Sequence, residues 1–365
     1  MRTFFVGAQE KPNGVNSYTY NLAHELIKLG YPSKVFSFGT CDKVSYYKDV
    51  EIRQIKTAGG TMLSIPMLYF KSLPYLIKHR KEIDIVAYQT VQFSWIPAFV
   101  MRLFGVKSCA IIHSLAEDSP KHSTLMKKLL VWNMKFDMFF TKHIITISRG
   151  RVNDVLTRYK RKADLVPCGV PVPNEESGVS DILERNDIKK GKYFLTIGRI
   201  DPIKNLETII DAFMNHDHGD YQLVIGGDVS TPYGQNIVER AKGCENIKFP
   251  GMVIGDDKDV LLRNCLAYCL QSYSEGLPIA LLEGLSYGKL ALCSNIPAIT
   301  DVLLPMNIGL INDVSDVNSL AHSMVEVENS YEQYKYQEDL ALTAVKKNYS
   351  WPMICQTFIK LINTY

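Results

Sequence analysis

The sequence predicts an α/β chain of two Rossmann-like domains. Three observations lead there. A strand, a glycine-bearing turn and an amphipathic helix succeed one another at the start of the chain. The same succession begins again at Tyr193, and a run rich in proline and acid separates the two. The length, 365 residues, exceeds one ordinary domain. The spacing therefore predicts a first domain over 1–170, a linker over 171–191, a second domain over 192–349 and a last helix over 350–365.

The first strand, about Arg2 to Ala8, runs into the loop Gln9-Glu10-Lys11-Pro12-Asn13-Gly14. Val15, Tyr18, Leu22, Leu26 and Leu29 then recur at helical spacing until Gly30, and Ser33 to Phe38 reads as a second strand. This is one βαβ unit, and ligands of open parallel sheets gather at such strand-to-helix turns. Further strands are expected at Ile83–Tyr88, Ser108–Ile112 and His143–Thr146, with His113 just after the second of these. Residues 62–81 mix apolar and basic side chains with two prolines. Lys121 to Lys142 sets lysines among Leu129, Leu130, Trp132, Phe136, Phe139 and Phe140, a pattern that fits either a core helix with a solvated basic side or attachment to an anionic bilayer.

The second domain opens on the buried strand Tyr193–Ile197, followed by Gly198-Arg199, then Asp201-Pro202-Ile203-Lys204-Asn205, and a helix from Leu206 to Met214. Arg199 offers a planar fork to phosphate oxygens and Lys204 a point charge, so together they can neutralise a diphosphate. Tyr221–Ile225 ends in Gly226-Gly227-Asp228, another glycine turn at a strand's carboxyl end. The stretch Ser274 to Leu292 reads as a tight loop feeding a helix: Gly276 for a sharp turn, Pro278 at the first helical position, Ile279, Leu282 and Leu285 as the apolar face, Gly288 as the stop. A helix N-terminus attracts anions, and the flanking carboxylates Glu275 and Glu283 can accept from sugar and ribose hydroxyls. Asp257-Lys258-Asp259 spells D-x-D but lacks a preceding apolar strand, and His216-Asp217-His218 reads as a helix-ending loop; no metal is expected at either.

Composition narrows the classes. No run of about 18 apolar residues suggests a membrane span. The opening MRTFFVGAQEK reads as a first strand rather than a signal peptide, so a cytoplasmic location is expected. Eight scattered cysteines without a C-x-x-C pair suggest free thiols. The net charge of +3 conceals an imbalance: residues 1–168 hold 25 Lys and Arg against 12 Asp and Glu, the remainder 16 against 26. The first half is thus expected to face something anionic; no nucleic-acid motif accompanies it, and nucleic acid is not an expected partner.

Glu275 and Glu283, eight apart with Gly-Leu-Pro after the first, resemble the donor-site signature of the retaining glycosyltransferases of family GT4, which have the GT-B fold. Gly198-Arg199, four residues, Lys204-Asn205 is similar to a second motif of that family. Looser likenesses lie at Asn13-Gly14-Val15, at His113 within AIIHSL, at Ile147-Ser148-Arg149, at Val166 to Pro171 and at Phe249-Pro250-Gly251-Met252-Val253.

The resemblance implies two Rossmann-like domains facing a central cleft, with the last helix crossing back onto the first. It implies a retaining, metal-independent transfer from a nucleotide-diphosphate sugar, with UDP- and GDP-sugars both open. Glu275, His113, Arg199 and Lys204 would be the catalytic group. Arg199, Lys204 and the N–H groups of Gly276 and Leu277 would meet the leaving diphosphate, Glu275 the sugar, Glu283 the ribose, and Met252 and Val253 the base. Gly14, Gly198 and Pro278 would complete the donor site. No cofactor is implied. The acceptor suggested by the basic first half is a glycan, for example one linked to undecaprenyl diphosphate, at the inner face of an anionic membrane in polysaccharide or O-antigen assembly. A nucleotide-sugar 2-epimerase and a non-catalytic donor-binding subunit remain as alternatives on the same fold.

Overall fold

The computed structural model describes residues 1–9, 14–57, 61–89, 93–115, 123–173 and 179–364, without the side chains of 61 and 62. The loop residues Glu10 to Asn13 and Lys121, singled out above, lie outside them. The chain forms two compact units, one of Met1–Gly169 with Trp351–Tyr365, the other of Val170–Ser350.

In the first unit the described strands are β1 (Thr3–Gln9), β2 (Ser33–Gly39), β3 (Lys43–Tyr47), β4 (Val50–Lys56), β5 (Ile85–Tyr88), β6 (Lys107–Ile112), β7 (His143–Thr146) and β8 (Asp164–Leu165). They make one sheet in the order β3-β4-β2-β1-β5-β6-β7-β8, parallel except for β3 against β4. Phe4, Val6, Phe36, Leu68, Tyr69 and Tyr88 share a buried cluster of this unit. The helix Trp351–Asn363 belongs to this unit and packs on the helix Gly14–Lys28. Its Trp351 ring lies so close to Gly169 that a Cβ there would sit 2.6 Å from it. Residues 62–81, where no element was expected, are mostly one helix, Thr61–Lys78, running through Pro66 and Pro74. Each internal proline costs a helix about 3 kcal/mol; burial of Ile65, Leu68, Tyr69 and Leu76 offsets it.

The second unit holds β9 (Tyr193–Ile197), β10 (Gln222–Gly226), β11 (Ile247–Lys248), β12 (Ala267–Leu270), β13 (Leu290–Ser294) and β14 (Leu310–Asn312), all parallel, in the order β11-β10-β9-β12-β13-β14. Two apolar clusters fill this unit, one around Tyr193, Leu195 and Leu281, the other around Phe194, Ile209 and Leu292. Part of the expected linker is core: Ile182 and Ile188 are buried in the first of these clusters.

One buried acid ties two helices of the first unit. Asp137, on the helix Thr124–Phe140, accepts from Ser94 Oγ (2.8 Å) and the backbone N–H of Trp95 (2.7 Å), and from Asn133 Nδ2 (2.9 Å). It thereby caps the helix Trp95–Leu103, whose own N-cap side chain makes no capping bond. Burial nevertheless pushes its carboxyl up to about 7. Between pH ~4, where the unfolded group titrates, and pH 7, the native chain holds a proton that the unfolded chain has released. This group's contribution to stability therefore falls as pH rises through that window. Thermal unfolding from pH 4.5 to 7.5 is expected to show that decline in the wild type and a flatter profile in Asp137→Asn; parallel profiles would contradict it.

Candidate active site

In an open parallel sheet, ligands collect where the strand order reverses, outside the carboxyl ends. In the second unit the reversal lies between β9 and β12, because β10 follows β9 on one side and β13 follows β12 on the other. The loops leaving these two strands carry Gly198 to Asn205 and Gln271 to Pro278, which include most of the residues expected from sequence.

Beyond β9 the chain passes Gly198 and Arg199 and enters a short 3-10 turn, Pro202–Lys204, capped by Asp201 Oδ1, which accepts from the Ile203 N–H at 3.1 Å. Asn205 follows in the left-handed region at φ 50°, a conformation its side chain tolerates. Asn205 Oδ1 accepts from Thr208 Oγ1 in the helix Leu206–Met214. The turn aims Lys204 across the reversal point: its Nζ lies 2.7 Å from Glu275 Oε1. The same Oε1 accepts from Ser272 Oγ at 2.7 Å, and the Tyr273 N–H donates to the Ile203 carbonyl at 2.8 Å. Two loops 71 residues apart are thus held by an ion pair and a main-chain bond. Oε1 is doubly engaged, while Glu275 Oε2 accepts from no donor among the described residues.

Arg199 lines one cleft with Lys204, Ile197, Gly198, Gly226 and Leu270. Its side chain is 77% exposed, with Nε 3.4 Å from Asp201 Oδ2, so it does not join the Lys204–Glu275 pair. The backbone behind the cleft is close: Gly198 N–H donates to the Gly226 carbonyl (2.9 Å) and Gly227 N–H to the Gly251 carbonyl (2.8 Å). A Cβ on Gly227 would sit 2.3 Å from the Gly198 oxygen.

The helix after Glu275 departs from expectation at its start. It spans Ile279–Ser286, with Pro278 at the N-cap rather than the first helical turn. The Ile279 N–H closes back on the Leu277 carbonyl (2.9 Å), whereas the Gly276 and Leu277 N–H groups donate to no acceptor among the described residues. Gly276 needs no left-handed backbone, and a Cβ there would meet nothing within 4 Å; its missing side chain leaves open space instead of enabling a turn. Gly288, at φ 73°, does end the helix as expected.

Glu283 has its own partner: its Oε1 lies 2.7 Å from Lys258 Nζ. Lys258 is the middle residue of the D-x-D string, whose first acid is also engaged: Asp257 accepts from Ser180 Oγ and from Arg185. Val253 is buried, with its side chain beside Gly226 at the end of β10, while Met252 is exposed.

Gly14 and His113 belong to the first unit. Gly14 is the first residue of the helix after β1, held there by Asn16, which exchanges two hydrogen bonds with the Gln9 backbone (2.8 and 2.7 Å). His113 follows β6. Its Nε2 donates to Gln89 Oε1 (2.9 Å), which leaves Nδ1 as the acceptor, and its ring stands edge-on to Tyr18. Burial pushes the imidazole down to about 4, so it is neutral at physiological pH. Sequence reading missed Ser272, Tyr273, Lys258 and Gln89. Ser272 alone carried a local signal, since Ser-x-x-Glu spacing lets a hydroxyl meet a carboxylate three residues on.

Comparison with known proteins agrees with this geometry. The family model described as glycosyl transferases group 1 matches residues 180–342, and that described as Glycosyltransferase Family 4 matches 12–172. The gpi3 subunit of phosphatidylinositol N-acetylglucosaminyltransferase from Schizosaccharomyces pombe is 26% identical over 93% of this chain and 75% of its own length. O-antigen chain mannosyltransferase C of Escherichia coli is 21% identical over 87% of this chain and 85% of its own. Among solved structures, Anabaena Alr3699/HepE in complex with UDP superposes with a TM-score of 0.78, at 14% identity over the whole of both chains. Two parallel-sheet units, two matching glycosyltransferase models and relatives that transfer sugars converge: the chain is a glycosyltransferase of the GT-B fold.

Proposed function

We propose that this glycosyltransferase is a retaining, metal-independent enzyme of family GT4. It moves a sugar from a UDP- or GDP-sugar to a hydroxyl of a lipid-linked glycan, in cell-surface polysaccharide or O-antigen assembly. The observation that carries the reading is the Lys204–Glu275 pair at the β9/β12 reversal, beside two unengaged N–H groups. Departure of a nucleoside diphosphate builds negative charge on phosphate oxygens. Lys204 and the N–H groups of Gly276 and Leu277 are the fixed donors that would meet it, joined by Arg199, whose exposed side chain would swing from Asp201 to reach it. Glu275 Oε2 is assigned to the sugar hydroxyls and Glu283 to the ribose. The backbone of Met252 and Val253 is assigned to the base, with Gly14, Gly198 and Pro278 shaping the donor contact. His113, neutral and with Nδ1 accepting, is assigned to a sugar hydroxyl. Metal independence is supported by the carboxylate of Asp257, already spent on Ser180 and Arg185. The lipid-linked acceptor, at the inner face of an anionic membrane, is supported by the basic first half and by a relative whose name carries phosphatidylinositol.

A panel of UDP- and GDP-sugars, scored by NMR for slow donor hydrolysis and for transfer, tests the reading. One donor class is expected to react, with the anomeric configuration kept and the rate unchanged by EDTA. An inverted product, an epimer formed without acceptor, or loss of activity in EDTA would overturn it.

A further inference from the structure

The helix Thr124–Phe140 is turned inside out for a water-facing helix. Its buried side carries Leu130, Met134 and Met138 together with the polar Asn133 and Asp137. Its outward side, at helical spacing, carries Leu125, Lys128, Leu129, Trp132, Lys135, Phe136 and Phe139. Leu125 is 71% exposed, Trp132 57% and Phe139 69%. The rings join into a sheet that crosses to the helix Trp95–Leu103. Trp132 meets Phe136 (centroids 4.4 Å apart), Phe136 meets Trp95 (5.5 Å), Trp95 meets Phe140 (5.7 Å), and Phe140 meets both Phe99 and Phe139 (5.4 and 5.1 Å). The second helix extends the surface with exposed Phe99, Arg102 and Leu103. The arrangement is fixed rather than incidental: Asp137 and Asn133 bond the start of the helix Trp95–Leu103, with Trp95 Nε1 donating to Asn133 Oδ1 at 3.1 Å.

A contiguous aromatic surface of this kind marks an interaction site, and its charge selects the partner. The two helices carry Arg102, Lys127, Lys128 and Lys135, and their single acid, Asp137, is buried. A second copy docked face to face would bring lysines against lysines with no carboxylate to meet them. An anionic bilayer answers both features. Amphipathic rings settle at the headgroup level, lysine stems lie along the apolar surface, and their ammonium groups reach lipid phosphates. We propose that the face formed by Leu125, Lys128, Leu129, Trp132, Lys135 and Phe139 lies on an anionic lipid surface as the enzyme's membrane-docking site. No described helix is long and apolar enough to span the bilayer. The inference deepens the proposal of a lipid-linked acceptor, yet it is read out without any sugar.

The full chain is floated with phosphatidylcholine vesicles with and without phosphatidylglycerol, in the absence of donor. Binding is expected only with the anionic lipid, with a blue shift of tryptophan emission that Trp132→Phe removes. Trp132→Ser with Phe139→Ser, and Lys128→Glu with Lys135→Glu, should each weaken binding about tenfold or more, with unchanged thermal unfolding showing that they are folded. Failure to bind anionic vesicles, equal binding to neutral ones, or unaltered binding by both double variants would overturn the proposal. So would a dimer that Trp132→Ser dissolves, since a second copy would then be the occupant. A wild-type chain that transfers to a lipid-linked acceptor yet binds no anionic vesicle would sink this surface and leave the proposed function standing.

Discussion

Lys204→Ala is expected to lower sugar transfer by about 10²- to 10³-fold, the range seen when one preorganised donor to a developing anion is removed. The side chain sits on a turn whose geometry is set by Asp201 and by the left-handed Asn205, and it is held by Glu275 at 2.7 Å. Such a charge costs no reorganisation when the diphosphate departs, and solvent cannot replace it as a fixed group. The fold should survive. The pair is largely shielded but not sealed from water, so its loss is worth about 1–2 kcal/mol after screening, and Glu275 keeps its bond from Ser272. Glu275→Gln should likewise cost transfer while preserving shape. Steady-state kinetics beside thermal unfolding separates the two effects. A variant at residue 204 that unfolds, or one that transfers at the wild-type rate, would each contradict the assignment.

Gly227→Ala is expected to be the most damaging one-carbon change in the second unit. The added Cβ would stand 2.3 Å from the Gly198 carbonyl oxygen and 2.8 Å from the Ile200 side chain. The first of these is backbone and cannot rotate away. The loops after β9 and β10 would have to part, straining the bonds Gly198–Gly226 and Gly227–Gly251. Overpacking of this kind costs about 1–3 kcal/mol or more, read as a fall of several degrees in melting temperature. Donor affinity should drop with it, because Gly198 and Gly226 form the wall of the cleft that Arg199 and Lys204 line. Gly276→Ala is the matched contrast. A Cβ there meets nothing, so stability should hold while the space beside the Gly276 N–H is filled and donor binding weakens. Equal melting temperatures for Gly227→Ala and wild type would show that the loops can yield.

The parts of the fold legible in the sequence were those that burial makes uniform. Strands covered on both faces read as unbroken apolar runs, which is why Tyr193–Ile197 and the helix Leu206–Met214 fall where expected. The hairpin β3–β4 carried no such signal, since β3 is an edge strand largely in water that opens on Lys43. The helix Thr61–Lys78 was hidden by its prolines, whose local penalty is overruled by tertiary packing. Within the site, residue types and loop positions came from motif spacing, but partners did not. That Lys204 meets Glu275, and Glu283 meets Lys258, depends on which strands are neighbours, a property of topology that no local window contains. Pro278 and Gly276 were misplaced for a local reason: both suit a helix start in general, and only the backbone shows which position each takes.

The central claim is that the loop after β9 and the tip of the helix Ile279–Ser286 together hold a diphosphate. Calorimetric titration of UDP and GDP against their parent nucleosides tests it most directly, in the wild type, Arg199→Ala and Lys204→Ala. The expected result is a wild-type preference for one diphosphate over its nucleoside that shrinks about tenfold or more in each variant, with nucleoside affinity unchanged. Diphosphate and nucleoside binding alike in the wild type, or a preference intact in both variants, would contradict it.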